Sequence, residues 1–126
     1  MMYNRYEFKL LDKDTKEVYL TREYGVTVEE AVQHNNFWNA PSEKIGEKFE
    51  IIETKIESTT DEYPYAAEDM LKKAFADKEE TIRKIEAGPA DPQDKEDLKK
   101  VIENEATWDF WHLDTLCRDR LFEVMR

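Results

Sequence analysis

Three side chains near the end of this chain have types and spacing that suit a divalent metal. Glu105, Asp109 and His112 fall at i, i+4 and i+7, and a carboxylate three residues before a histidine is a ligand spacing used in helical bundles. A complete site needs matching ligands from a second helix. The segment over 64–87 offers carboxylates and no histidine, so no metal and no cofactor is expected. His34, near a helix end, is expected to be solvated. Nucleophilic chemistry has less to work with. Cys117 lies five residues after His112, roughly 140° around a helix and too far for a local dyad. Its place on an apolar stripe makes it a small core residue. Ser42 and Ser58 fall in turns without the strand–turn–helix setting of an activated serine. Gly25, Gly46 and Gly88 are isolated turn residues rather than a phosphate cradle. No catalytic residue emerges, and the chain is expected not to be an enzyme.

What the same region concentrates is acid and indole. Glu103 to Asp114 holds four carboxylates and two of the three tryptophans, with no lysine or arginine. The whole chain of 126 residues carries 19 basic and 30 acidic side chains, a formal net charge of −11. The imbalance is uneven: residues 1–60 hold 12 acids against 8 bases, and residues 61–126 hold 18 against 11. Such a surface is repelled by nucleic acid and by anionic membranes, and is attracted to a basic groove on another protein. Direct nucleic-acid binding is therefore disfavoured and not expected. The unpaired acids Asp91, Asp94, Glu96, Asp97, Glu103, Glu105, Asp109 and Asp114 become the candidate partner-binding group, with Trp108 and Trp111 as apolar anchors. Trp108 and Trp111 serve equally well in a core, and the sequence leaves that open.

The elements that position these residues read clearly. Tyr6, Phe8 and Leu10 alternate with Glu7 and Lys9 as in a half-buried strand, Asp12–Lys16 makes a polar turn, and Glu17–Tyr24 returns as a second strand. Thr27 to Glu30 has capping-box form and opens a helix, with Val26 and Ala31 placed as a hydrophobic staple. Asn39 to Ser42 ends it, and Lys48–Glu57 is a third strand. Ser58–Asp61 is expected to be a polar link. Beyond it Ala67, Met70, Leu71, Ala74, Phe75, Ile82 and Ile85 form one apolar stripe of a single helix closed by Gly88-Pro89, with Gly88 as a left-handed cap. Asp91 caps the next helix with Pro92 at its first position. Its stripe is interrupted at Glu105, Asp109 and His112, predicting a break near Ala106-Thr107. A C-terminal helix then follows with two apolar sides: Phe110, Leu113, Cys117, Leu121 and Val124 on one, Trp108, Trp111, Phe122 and Met125 on the other.

The fold expected is α+β: a ββαβ part over 1–57 with a three-stranded, mainly antiparallel sheet, followed by a C-terminal helical hairpin over 62–126, in one domain. The single cysteine argues for a reducing compartment. No apolar run is long enough to span a bilayer, and Met1 to Arg5 show no signal-peptide core. A cytoplasmic protein is expected. In size, charge, ββαβ start (Tyr6–Tyr24, Thr27–Trp38, Lys48–Glu57) and lack of catalytic residues the chain resembles small acidic accessory proteins of phages and mobile elements, of the anti-CRISPR or anti-defence type. That resemblance implies an inhibitor that occupies the nucleic-acid site of a host nuclease, working in the host cytoplasm. It transfers no individual residue. The function expected is a non-enzymatic acidic protein that inhibits or regulates a basic nucleic-acid-handling protein. The alternative is a structural or regulatory homodimer formed through the C-terminal helices.

Overall fold

A computed structural model describes residues 1–126. Strand β1 (Tyr3–Asp12) is central, flanked by β2 (Val18–Gly25) and β3 (Phe49–Thr60), all antiparallel in the order β2-β1-β3. The alternation on β1 sends Tyr6, Phe8 and Leu10 to one face, where they are buried with Ala31 beneath Val32, Ile45, Phe49 and Ile51. The connection to β2 is built by Asp12. Its carboxylate accepts the N–H groups of Asp14 (2.9 Å) and Thr15 (3.1 Å), and Lys16 takes a left-handed φ of 64°. The hydrogen bond from Thr15, then that from Asp14, holds the Asp12 carboxyl below its usual range, helped by Lys48.

Helix α1 (Val28–Phe37) starts as its sequence predicts, with Thr27 Oγ1 accepting the Glu30 N–H at 3.2 Å. Gly25 precedes it because nothing larger fits: a Cβ there would lie 2.5 Å from the Ala31 nitrogen. A single 3-10 turn over Pro41–Glu43 follows. β3 runs to Thr60, opposite Tyr3, so the expected link at 58–61 is almost entirely strand. Thr59 and Thr60 are good strand residues once a partner is available, and Ser58 pairs with Arg5, which is why polarity alone misread them. Two irregularities in the β1–β3 register leave Ile52 and Glu57 as extra, bulged residues.

The rest of the chain is helical: α2 (Ala66–Ala76), α3 (Lys78–Ala87), α4 (Pro92–Asn104), α5 (Thr107–His112) and α6 (Thr115–Met125). The fold is the α+β one expected, but each arm of the hairpin is subdivided. The first breaks at Asp77, whose carboxylate accepts the Glu80 N–H at 3.2 Å and so opens α3 as a new helix. The Thr81 hydroxyl lies 2.9 Å from the Ala74 carbonyl and 2.8 Å from that of Asp77, filling the gap in the helical ladder. Gly88 ends α3 with φ −83°, not in the left-handed form expected. Its smallness matters instead, since a Cβ would meet Val124 Cγ1 at 2.8 Å. Buried Leu71, Ile85, Leu98, Ile102 and Leu121 form this region's interior. Two compact units result, Met1–Pro64 and Tyr65–Arg126. No helix is long and apolar enough to cross a membrane.

Candidate functional site

Two helix starts gather the acidic residues. Asp91 is extended (φ −70°, ψ 166°) and its carboxylate accepts the Asp94 N–H at 2.9 Å, with Pro92 at the first helical position. Asp114 does the same for α6, accepting the Leu116 N–H at 2.8 Å. The two starts are neighbours: Cys117 on α6 places its Sγ 3.8 Å from the Asp94 carbonyl oxygen. Asp94 is thereby left among Asp91, Asp114 and Asp97. Its carboxyl is raised above the usual range, first by burial and then by those three charges in that order, with Arg120 as the opposing cation. The Cys117 thiol feels the same environment. It is buried and pushed up to about 12, mainly by desolvation and then by Asp94, Asp97, Asp114 and Asp91. A thiol held there is protonated and chemically quiet at neutral pH, the core role its stripe predicted.

The structure therefore brings together four of the candidate residues: Asp91, Asp94, Asp97 and Asp114. Others are engaged elsewhere. Glu96 pairs with Lys99 at 3.8 Å, and Glu105 with Lys78 at 2.9 Å. Glu103 is exposed near the end of α4 and Asp109 is half-buried on α5. The line of Glu105, Asp109 and His112 is not one helical face, because Glu105 leaves the helix in a left-handed conformation (φ 50°). His112 instead donates from Nδ1 to the Trp108 carbonyl at 2.7 Å, closing the short helix α5. The break predicted near Ala106-Thr107 is present.

Both tryptophans of α5 stand at the surface rather than in the core. Trp108 is 41% exposed and Trp111 64% exposed, whereas Phe110 between them is 2% exposed. One side of α5 is core and the other faces solvent with two indoles. Arg118 lies over the Trp111 ring, 5.5 Å from its centre. The second apolar stripe is not continuous, however. Leu113 is extended (ψ 154°) and Asp114 caps a new helix, so α5 and α6 are separate. Phe122 and Met125 accordingly join Ala66, Ala67 and Met70 around an open apolar groove of about 560 Å³, rimmed by Asp69, Lys73 and Arg126. No protein-family model, characterised protein or solved structure matches this chain.

Arg118 and Arg120 are neighbours of the candidate residues that the sequence reading did not single out. A signal existed in the Asp114-Thr115 pair, which has N-cap chemistry and fixes where α6 begins. Once that start is placed, one turn later Arg118 falls beside α5 and Arg120 beside Asp94.

Proposed function

We propose that this protein is a non-enzymatic acidic binding protein that inhibits or regulates a basic nucleic-acid-handling partner, in the manner of anti-CRISPR nucleic-acid mimics. The observation that carries this reading is the convergence of Asp91, Asp94, Asp97 and Asp114, where burial and then the neighbouring charges raise Asp94. Like charges packed at one corner work against folding and suit a cationic ligand. Short spacing between carboxylates resembles the charge density of a phosphate backbone. The exposed Trp108 and Trp111 supply apolar area that slows release once charge has steered the encounter. The expected place of action is the cytoplasm.

Capture from a host lysate at low and high salt tests it, using the unaltered chain, Asp94→Asn/Asp97→Asn and Trp111→Ala. Neither Asp94 nor Asp97 supplies a cap, so the fold is kept. A nucleic-acid-binding protein retained at low salt, lost at high salt and weakened about tenfold or more by the double variant supports the proposal. Retention that ignores both salt and the double variant refutes it.

The groove beside Phe122 and Met125 favours a second reading, self-association through the C-terminal helices. Light scattering on Phe122→Asp separates the two, since only this second reading requires a dimer that the substitution breaks.

A further inference from the structure

The sheet has two open edges, and they are chemically unlike. Apart from an isolated bridge between Phe49 and Ile45 at its start, β3 pairs only with β1, so its outer backbone groups beyond that point form an unfilled ladder. It is 12 residues long, contains three isoleucines and three threonines, and has no proline. Between its bulges, Glu53 to Ile56 is a regular run. Here Ile52 is 48% exposed and Ile56 57% exposed, which is unusual for large aliphatic side chains on a strand. The Glu53 and Lys55 side chains are both more than half exposed on the opposite face.

We propose that a second copy of this chain covers this edge, with β3 pairing antiparallel to β3 about a two-fold axis through Thr54. The two sheets then continue as one of six strands. The argument is charge complementarity. A two-fold axis normal to the sheet keeps every side chain on its own face, so a residue pairs only with one an even number of positions away. On the face carrying Glu53, Lys55 and Glu57, an axis at Glu53 or at Lys55 sets like charges directly opposite one another, which is unfavourable. An axis at Thr54 sets Glu53 against the partner's Lys55 and Lys55 against the partner's Glu53. It also sets Ile52 against the partner's Ile56 on the other face. An axis at Ile56 pairs Lys55 with Glu57, but Glu57 is a bulged residue outside the regular run of the strand. The Thr54 axis satisfies all three constraints.

Existing ion pairs extend the pattern. Lys9 lies 3.7 Å from Glu53, and Lys55 lies 3.2 Å from Glu7. Across the junction the row reads Lys9, Glu53, the partner's Lys55 and the partner's Glu7, alternating in sign throughout. β2 has no such property. Its two charges, Arg22 and Glu23, are adjacent and on opposite faces, so no symmetric register brings them together.

Sedimentation velocity on the full chain across a dilution series is the first test, with a dimer expected. Glu53→Lys and Lys55→Glu should each raise the dissociation constant about tenfold or more. Mixing the two variants in equal amounts should restore association, because one then carries two cations where the other carries two anions. Thr54→Cys should cross-link to its own copy on mild oxidation. Residues facing each other across an antiparallel pair lie within disulfide reach, and the sole native thiol, Cys117, is buried. A chain that stays monomeric throughout, a dimer indifferent to Glu53→Lys, or variants that fail to recover on mixing would each overturn the proposal. Circular dichroism distinguishes a lost interface from a lost fold, and Phe122→Asp should leave this dimer unchanged.

Discussion

The two units of this protein handle charge in opposite ways. On the open face of the sheet, Glu7 sits between Arg22 at 3.0 Å and Lys55 at 3.2 Å, and Glu57 between Arg22 and Arg5. Lys55 is the main reason that the Glu7 carboxyl is held below its usual range. In the helical unit burial, and then the charges of Asp91, Asp114 and Asp97, move Asp94 the other way. The contrast teaches that net charge is a poor guide to where a protein is electrostatically unsettled. Residues 1–60 already contain 12 acids, yet on the open face of the sheet Glu7, Glu53 and Glu57 each lie beside a cation. In the helical corner Arg120 opposes the aspartates around Asp94 but does not offset them, and an incompletely compensated corner is where a cation gains most.

The comparison can be broken most severely through the cores that hold each arrangement. Phe8 and Leu121 are both fully buried, one in each unit. Phe8→Ala should cost about 3–5 kcal/mol and Leu121→Ala about 2–5 kcal/mol. Chemical denaturation measures the totals, and amide exchange should show the greatest loss of protection in the unit that was altered. A smaller effect sharpens the contrast within the acidic corner itself. Asp114→Ala removes a helix cap and should cost about 1 kcal/mol. Asp94→Asn removes the same charge without removing a cap, and should raise the melting temperature instead. Thermal melts of the two variants at pH 7 decide it, and a loss in both would mean the corner is not repulsive.

Acid should act on the two units with opposite sign. The stabilisation from the lowered Asp12 and Glu7 carboxyls is complete above their unfolded values, about 4, and is lost as pH falls through the still lower folded values. Asp94, whose folded value is raised, disfavours the folded state above that value and ceases to do so once protonated. Amide exchange followed from pH 7 to pH 3 should show the turn at Asp12–Glu17 loosening while the start of α4 holds. The smallest effect concerns Glu105. Its left-handed conformation favours glycine, and its ion pair with Lys78 is exposed. Glu105→Gly should stabilise by roughly 0.5–1 kcal/mol, readable as a shift in denaturation midpoint.

Much of this was legible in residue order. The period-two run through Tyr6, Phe8 and Leu10, the Thr27 cap, and the Asp91-Pro92 start each state their structure locally, within a few residues. The same holds for the break before Thr107, which the misplaced acids of the α4 stripe betrayed. What escaped was decided at a distance. Ser58 to Thr60 are strand because β1 extends far enough to receive them. Asp77 divides a helix whose apolar stripe passes through almost undisturbed, so periodicity concealed a break that a cap side chain makes. Among the candidate site residues, Asp91, Asp94, Asp97 and Asp114 share a corner because α6 starts beside α4, a proximity no local pattern encodes. For the same reason Glu105 could not be recognised as already paired, since Lys78 is remote in sequence, whereas the Glu96–Lys99 pair is local, three residues apart, and was legible in the spacing.

The exposure of Trp108 and Trp111 has a practical side. Indole emission responds to the water around it, and two of the three indoles in this chain stand on one short helix with solvent access. The third, Trp38, is half-buried in the other unit with its ring edge-on to Phe37, 5.0 Å between centres. The molecule thus carries a dye-free optical gauge on the helix proposed to meet a partner, with a third indole elsewhere. Anything that settles on α5 should move the emission to shorter wavelength, and replacing Arg118 should change the brightness of the unbound form.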